Sequence, residues 1–151
     1  YFPIGREYPY KNVTPCIIAE KFMVDESGVE LKDYKFFCFN GIPKIFFIAS
    51  DRNIGDTKFD FFDLNFNHLP FTQGHENSKK QILKPKNFEK MVEIASILSR
   101  GITFVRIDLY NINGEVYFGE YTFHHYGGMI PFEPKEWDRT LGDWIVLPID
   151  K

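Results

Sequence analysis

The sequence of 151 residues lacks long apolar runs and an excess of positive charge. Its longest apolar runs, such as Ile45–Ala49, are far shorter than the roughly 20 residues that a membrane-spanning helix needs. No signal-peptide pattern is present at the start. Lys and Arg total 18 against 21 Asp and Glu, giving a net charge of -3. Because phosphate backbones require clustered basic residues, we expect that the main partner is neither a nucleic acid nor a membrane surface.

Cysteine is also scarce. The chain has 2 cysteines, Cys16 and Cys38, and both stand in apolar runs. This placement predicts buried thiols in the reducing cytoplasm and not a disulfide scaffold, so we expect a cytoplasmic protein. The sequence shows no convincing Ser/His/Asp or Cys/His set and no GxxxxGK[ST] phosphate loop. Chemistry that depends on a protein nucleophile or on a P-loop is therefore not supported.

Apolar residues and turn signals indicate a folded domain. Hydrophobic residues make up 44% of the chain and include 17 Phe, enough for a core. Residues 15–22 form a β-rich run. Strands are predicted at Tyr34–Phe39 and Lys44–Ala49, joined by a hairpin turn at Asn40-Gly41. A short strand at Phe59–Phe62 is expected within a loop-rich region.

One clear helix is predicted at Phe88–Arg100. Apolar residues recur there at helical spacing, at Phe88, Met91, Val92, Ala95 and Leu98. Asn87 is expected to cap the start and Gly101 to end the helix. A second, short helix is expected near residues 133–138. The chain is therefore predicted to be a single α+β domain over residues 1–151, with a mainly antiparallel sheet of hairpins covered by one long helix and short helices.

The last predicted hairpin, Phe104–Phe123, carries charges where packing alone would favour Val or Ile. Arg106 and Asp108 alternate with apolar residues in its first strand and so share one face. The turn decides whether Glu120 joins them. A two-residue turn at Asn113-Gly114 would leave Glu120 on the opposite face from Asp108. A three-residue loop ending in Gly114 would set Arg106 opposite Glu120.

The apolar pattern of the second strand does not choose between these turns. We predict the three-residue loop, because two carboxylates and an arginine on one face form a site for a divalent cation and phosphate. The alternative is a simple cross-strand ion pair between Arg106 and Glu120, with Asp108 exposed.

Several segments resemble the TupA-like branch of the ATP-grasp superfamily. The order RID, hairpin, GEYT is similar to the closing metal-binding signature of that superfamily, roughly Arg-x-Asp, hairpin, Glu-x-Asn. Further segments that match in order are IIAEKF, LKDYKFFCFNGIPK, DLNFNHLPF, PKNFEKM, PFEPKEWD and LGDW. The resemblance covers nearly the whole chain and implies the fold of an ATP-grasp C-terminal lobe. The lysines of the preceding lobe would lie upstream of Tyr1, so a fragment of a longer chain is expected.

The resemblance implies a role for each residue of the hairpin. Asp108 and Glu120 would hold Mg²⁺ between the phosphates of ATP, and Arg106 would be the catalytic residue that stabilises the transferred group. Thr122 stands where most of the superfamily has Asn, and its hydroxyl would be a weaker or water-mediated metal ligand.

The resemblance also implies residues that bind the nucleotide. Glu20 and Lys21 would lie on the hinge strand beside adenine, Asp33 near the ribose, and Lys35 within reach of phosphate. Arg52 is a further phosphate candidate, as is Lys58, because its loop is polar and long. Alternatively, Glu20 and Lys21 are ordinary outward residues of an edge strand, and Asp33 and Lys35 are a solvated pair.

The function implied is an ATP- and Mg²⁺-dependent carboxylate–amine ligase of cell-surface polymer or polysaccharide biosynthesis, with a carboxylate-bearing or sugar-polymer acceptor. The alternatives are a glycosyltransferase-like enzyme and a non-catalytic nucleotide-binding or assembly module whose exposed lobe interface drives self-association.

His124 and His125 depart from the Thr/Pro/Gly-type run common at this point of the branch. Adjacent histidines on an extended chain point to opposite faces, so one of them is expected to line the pocket.

Overall fold

A computed structural model describes residues 5–52 and 55–148. Five antiparallel strands form a single sheet in the order β3-β2-β1-β4-β5. The strands are β1 Asp33–Phe39, β2 Ile42–Ser50, β3 Lys58–Asp63, β4 Phe104–Ile112 and β5 Glu115–Thr122. The helices are α1 Phe88–Leu98 and α2 Glu136–Gly142, with 3-10 turns at Tyr8–Tyr10 and His125–Gly128. The predicted α+β class is confirmed.

The first hairpin confirms its turn signal. Asn40 and Gly41 join β1 to β2 with φ values of 51° and 80°, the left-handed pair that a two-residue hairpin turn requires. The predicted short strand at residues 59–62 is β3, which pairs with β2. On its other side β1 pairs with β4. The β1–β2 hairpin and the β4–β5 hairpin are therefore joined through β1 and β4, and β1 lies in the centre of the sheet.

One face of the sheet, here called the helix-covered face, is apolar throughout its centre. Phe36, Ile48 and Ile107 lie there with 0% exposure. Helix α1 covers them through the buried side chains of Phe88, Met91 and Ala95. The predicted apolar stripe is confirmed, because a spacing of three and four residues places these side chains on one side of a helix.

The helix α1 starts at Phe88 as predicted, but its cap and its end differ from prediction. The helix ends at Leu98 and not at Arg100. Asn87 makes no side-chain cap; its amide nitrogen donates instead to the Gly114 carbonyl at 3.0 Å. The residue that was expected to stabilise the helix locally therefore ties the helix start to the β4–β5 turn.

The opposite face, here called the site face, is divided. Its aromatic half contains Phe37, Phe47 and Phe61, which α2 and the following segment cover through Leu141 and Trp144. The short helix lies three to four residues later than predicted. The other half of this face carries the charged residues of β1 and β4, since Lys35 lies opposite Asp108 in the strand register.

The predicted strand at residues 15–22 is wrong. This segment has no strand assignment and its side chains are exposed, Ile17 fully so. The apolar content there suits a strand, but a strand also needs a partner, and the described residues provide none for it.

The prediction of two buried cysteines is wrong for the same reason, because Cys16 lies on this exposed segment. Cys38 is buried as expected, and burial raises the pKa of its thiol to about 12.

Candidate functional site

The β4–β5 register differs from the predicted one. Ile112 pairs with Glu115, so the turn has two residues and the predicted three-residue loop is wrong. A β-bulge between the Leu109 and Asp108 pairs then shifts the register, and beyond it Asp108 pairs with Glu120. Arg106 consequently pairs with Thr122 and not with Glu120. The bulge brings the two carboxylates to one face, which the turn alone would not have done.

Gly119 makes this bulge possible. A Cβ atom at this position would lie 3.0 Å from the Asp108 carbonyl oxygen and 3.2 Å from a ring carbon of Tyr110. Any side chain would therefore press against the strand that carries the site. A glycine inside a strand pattern is a known signal of a bulge, and it was the signal in this sequence that could have corrected the register.

Arg106 binds both carboxylates. Its Nε donates to Asp108 Oδ1 at 2.7 Å and its Nη2 donates to Asp108 Oδ2 at 2.7 Å, a two-bond fork. Nη2 also donates to Glu120 Oε1 at 3.1 Å. The alternative of a plain Arg106–Glu120 pair is right about that contact and wrong about Asp108, which is 1% exposed.

Lys35 and Asp33 extend this arrangement across β1. Lys35 Nζ contacts Asp108 Oδ2 and also Asp33 Oδ2, the latter at 2.6 Å. Arg52 Nη1 donates to Asp33 Oδ2 at 3.2 Å. The alternative of a solvated Asp33–Lys35 pair is wrong, because both side chains are largely buried. The sequence prediction placed these residues near one site, and they do form a continuous network with Arg106 and Asp108.

We call this set the charged network; its members are Asp33, Lys35, Arg52, Arg106, Asp108 and Glu120. Its three cations match its three anions, so the formal charge is balanced. One acceptor is left over, since Asp33 Oδ1 is buried and has no hydrogen-bond partner. Burial raises the pKa of Asp33, and burial together with the nearby Asp108 raises that of Glu120. Such a network suits a ligand that brings both a cation and anionic oxygens.

A comparison with protein families identifies the family of this chain. The family model described as TupA-like ATPgrasp matches residues 1–146. The chain belongs to the TupA-like ATPgrasp family. Searches of curated proteins and of solved structures returned no match. Within residues 5–52 and 55–148, no helix has both the length and the apolar character needed to cross a bilayer.

The open side of the site in this TupA-like ATPgrasp chain is formed by β5. The Glu120 side chain is 62% exposed, whereas that of Asp108 is 1% exposed. Thr122 Oγ1 lies 3.4 Å from Glu120 Oε1. Both residues line a cavity of about 370 Å³ together with Arg106 and Tyr10. A ligand entering this cavity would meet Glu120 before it meets Asp108.

The sequence does not predict the contacts of two buried residues behind Arg106, His125 and Gln73. His125 is 9% exposed and its Nδ1 contacts Arg106 Nη1. Its Nε2 lies 2.7 Å from Gln73 Oε1. The sequence leaves open which of His124 and His125 lines the pocket, and Gln73 lies 52 residues before His125, so no local pattern links the two. His124, in contrast, lines the cavity, as expected for one of the two histidines.

Other predicted residues are not brought to the site. Glu20 and Lys21 are exposed on the unpaired segment, and within the described part of the chain no hydrogen bond or ion pair joins them to the network. Lys58 contacts Asp56 and Glu76 instead. Their predicted roles in nucleotide binding stay predictions.

The residues present fit a metal–nucleotide complex better than a bare metal ion. Among the described residues, no group of three or more His, Cys, Asp or Glu side chains is arranged to hold a metal. Both oxygens of Asp108 already accept bonds from Arg106 or Lys35. Mg²⁺ commonly binds one or two protein carboxylates and completes its octahedron with phosphate oxygens and water. Asp108 and Glu120 would supply the protein ligands in such a complex, with Thr122 beside them.

Proposed function

We propose that this chain provides the metal- and phosphate-binding side of a carboxylate–amine ligase that uses Mg²⁺ and ATP, acting in the cytoplasm in the synthesis of a cell-surface polysaccharide or related polymer. The observation that carries the proposal is the pairing of Asp108 with Glu120 across the bulge, with Arg106 bonded to both. The polymer assignment rests on the family resemblance alone. When bound, ATP would supply the phosphoryl group that activates an acceptor carboxylate.

Each residue of the site has a distinct part in this proposal. Glu120 faces the cavity and offers an accessible carboxylate to the metal. Asp108 is held in place by the Arg106 fork, and its oxygens would bind the metal once phosphate oxygens take over these donors. Arg106, which is bonded to both carboxylates, would stabilise the charge that develops on a transferred phosphoryl group.

Charge balance makes the proposal specific. Mg²⁺ alone would have to compete with Lys35 and Arg106 for the oxygens of Asp108. Phosphate oxygens would give these two cations new partners while the carboxylates bind the metal. We therefore expect Mg²⁺ and nucleotide to bind together much more tightly than either binds alone.

Titration calorimetry with ATP, in the presence of Mg²⁺ and in the presence of a chelator, tests this site. Glu120→Gln and Asp108→Asn should each weaken Mg²⁺-dependent ATP binding by about tenfold or more, because each removes a charged ligand. Glu115→Gln changes an exposed glutamate of the same strand, and Asp60→Asn changes a buried aspartate elsewhere in the sheet. Both controls should bind as the unmodified chain does. Unchanged binding in both site variants would overturn the metal assignment.

A non-catalytic nucleotide-binding or assembly module is the second candidate. It is favoured by the saturation of Asp108, whose oxygens are both bonded to cations of the network. A module of this kind would bind ATP without turning it over. Assays of ATP hydrolysis and of phosphate release with a series of carboxylate acceptors and amines separate the two. Release that depends on the carboxylate, the amine, Mg²⁺ and Glu120 supports the ligase, because the amine must displace phosphate from the acyl phosphate. Nucleotide binding without any release, in the chain with its upstream sequence included, supports the module.

A further inference from the structure

A buried histidine lies behind Arg106, on the side away from the carboxylates. His125 begins the 3-10 turn that follows β5. Its ring packs against Phe37 at a centroid distance of 5.0 Å and against Phe47 at 5.6 Å. The guanidinium of Arg106 lies 5.9 Å above the Phe47 ring. Aromatic rings of the site face thus hold the imidazole and the guanidinium beside each other.

The hydrogen bonds allow only one protonation pattern for this histidine. A guanidinium donates and never accepts, so His125 Nδ1 must accept from Arg106 Nη1. The single ring proton then lies on Nε2, which donates to Gln73 Oε1 at 2.7 Å. Gln73 Nε2 donates to the Ile130 carbonyl at 2.8 Å, which fixes the amide orientation and directs Oε1 to the histidine. Every member of the chain from Ile130 to Arg106 is satisfied in this pattern alone.

We propose that His125 is a positioning residue for Arg106: Gln73 holds it as the Nε2–H tautomer, and its Nδ1 fixes the guanidinium so that the other donors face Asp108 and Glu120. The orientation towards a transferred phosphoryl group rests on the proposed function, whereas the tautomer and the fixing of Arg106 do not. His125 supplies the acceptor for Nη1, while Nε and Nη2 are bonded to the carboxylates. An imidazolium in the same place would donate towards Arg106 and repel it.

The surroundings keep this histidine neutral. Burial, followed by the positive charge of Arg106, lowers the pKa of His125 to about 3. Asp108 acts in the opposite direction and Lys35 in the same direction as Arg106. Neutrality and the hydrogen-bond pattern therefore agree, and the acceptor at Nδ1 persists through the neutral pH range.

The tautomer is tested by nitrogen NMR of the unmodified chain with ¹⁵N-labelled histidine, near neutral pH. The expected result is one histidine with a fully unprotonated Nδ1 and a protonated Nε2, assigned to His125 by its absence in His125→Phe. His68 gives an internal comparison, because its ring is 44% exposed and contacts Asp60. A protonated Nδ1, or an imidazolium, would overturn the proposal.

The positioning is tested by two variants and one control. His125→Phe keeps an aromatic ring and removes the acceptor. We expect rotation of the Arg106 guanidinium, read from its Nη resonances, to become faster because only the bonds to Asp108 and Glu120 remain. Mg²⁺-dependent ATP affinity should fall about tenfold, as for a lost hydrogen bond to a charged group. His125→Asn places an amide oxygen near the Nδ1 position and should recover affinity to within about threefold. His68→Phe removes a histidine on the helix-covered side and should change neither measurement.

The outcomes distinguish this inference from the proposed function. If the unmodified chain does not bind ATP with Mg²⁺, the proposed function fails, and the tautomer and the guanidinium rotation still decide the inference. If His125→Phe does not fold, His125→Asn serves to assign the His125 resonances, and the unmodified chain decides: a protonated Nδ1, or a freely rotating Arg106 guanidinium, would overturn the proposal. Wild-type guanidinium rotation in a folded variant that lacks the Nδ1 acceptor would show that His125 does not position Arg106.

Discussion

The helix-covered face and the site face are built from alternate residues of the same strands, and they have opposite characters. Phe36 is a fully buried core residue, while its neighbour Lys35 bridges two aspartates on the other side of β1. In β4, Ile107 packs beneath α1 and is flanked by Arg106 and Asp108. One face is stabilised by apolar burial, which is insensitive to charge. The other contains buried ions that are tolerated only because each is paired.

The difference shows how one sheet can carry both stability and a polar site. Strand alternation lets substitutions on one face leave the other face unchanged, provided that the register is kept. The bulge at Gly119 changes the register of β5 only at its far end. Beyond the bulge, Tyr121 still packs on the helix-covered side, and its hydroxyl donates to the Leu98 carbonyl at 3.2 Å. The site therefore gains its geometry with little disturbance of the core.

The largest effect is expected for Phe36→Ala on the helix-covered face. The ring is fully buried and stacks with Phe46 at 5.1 Å and with Phe88 at 6.0 Å. Removing it should lower the free energy of unfolding by about 4 kcal/mol, measured by urea denaturation. ATP affinity of the folded protein should stay unchanged. A large loss of affinity without a loss of stability would break the distinction between the two faces.

Asp108→Asn is expected to have the next largest effect and to act on both properties. The substitution leaves Arg106 and Lys35 buried without their shared anion, which costs about 3 kcal/mol of unfolding free energy. Glu120→Gln is the comparison within the site, because its side chain is largely exposed and exposed ion pairs contribute less than about 1 kcal/mol. Equal destabilisation by the two substitutions in urea titrations would contradict the view that Asp108 holds the network together.

Local patterns predicted much of the fold. The turn at Asn40-Gly41 and the apolar stripe of α1 are set by neighbouring residues, and both were predicted correctly. The strand predicted at residues 15–22 failed because pairing is not a local property. The same limit explains why the local pattern predicts Asn87 as a helix cap, whereas its side chain bonds to Gly114 in the β4–β5 turn.

For the candidate site, the sequence predicts which residues come together better than it predicts their geometry. Arg106, Asp108 and Glu120 were singled out because charges are unusual in apolar strands, and the structure does bring them together. The turn was wrong, and the bulge that corrects the register was not considered although Gly119 marks it. The contact from Gln73 to His125 joins distant parts of the chain and had no signal in either segment.

Gly119→Ala tests the bulge at an intermediate size of effect. A methyl group at this position would approach the Asp108 carbonyl to 3.0 Å, so the strands must separate or the register must shift. We expect a loss of about 2 kcal/mol in unfolding free energy from this overpacking, with a fall in ATP affinity as Glu120 moves away from Asp108. Gly142→Ala is the control, because a Cβ atom there meets nothing within 4 Å. A stable variant with unchanged affinity would show that the bulge does not set the site.

The smallest expected effect is a pH dependence that belongs to the site face. Burial lowers the pKa of His125 to about 3 in the folded chain from its ordinary value of 6.5, so on acidification the unfolded chain takes up a proton that the folded chain does not. Stability from this group is therefore fully present above about pH 6.5 and falls as the pH is lowered towards 3. Between about pH 7 and about pH 6, the stability advantage of the unmodified chain over His125→Asn should shrink by roughly 0.7 kcal/mol in paired urea titrations. Subtracting the values for His125→Asn removes the contributions of other titrating groups. Phe36→Ala is the control: its stability should change with pH as that of the unmodified chain does, because no residue of the helix-covered face surrounds this histidine. An advantage that stays constant or grows on acidification would mean that His125 is protonated in the folded chain, and the charged half of the site face would then contain four cations against three anions.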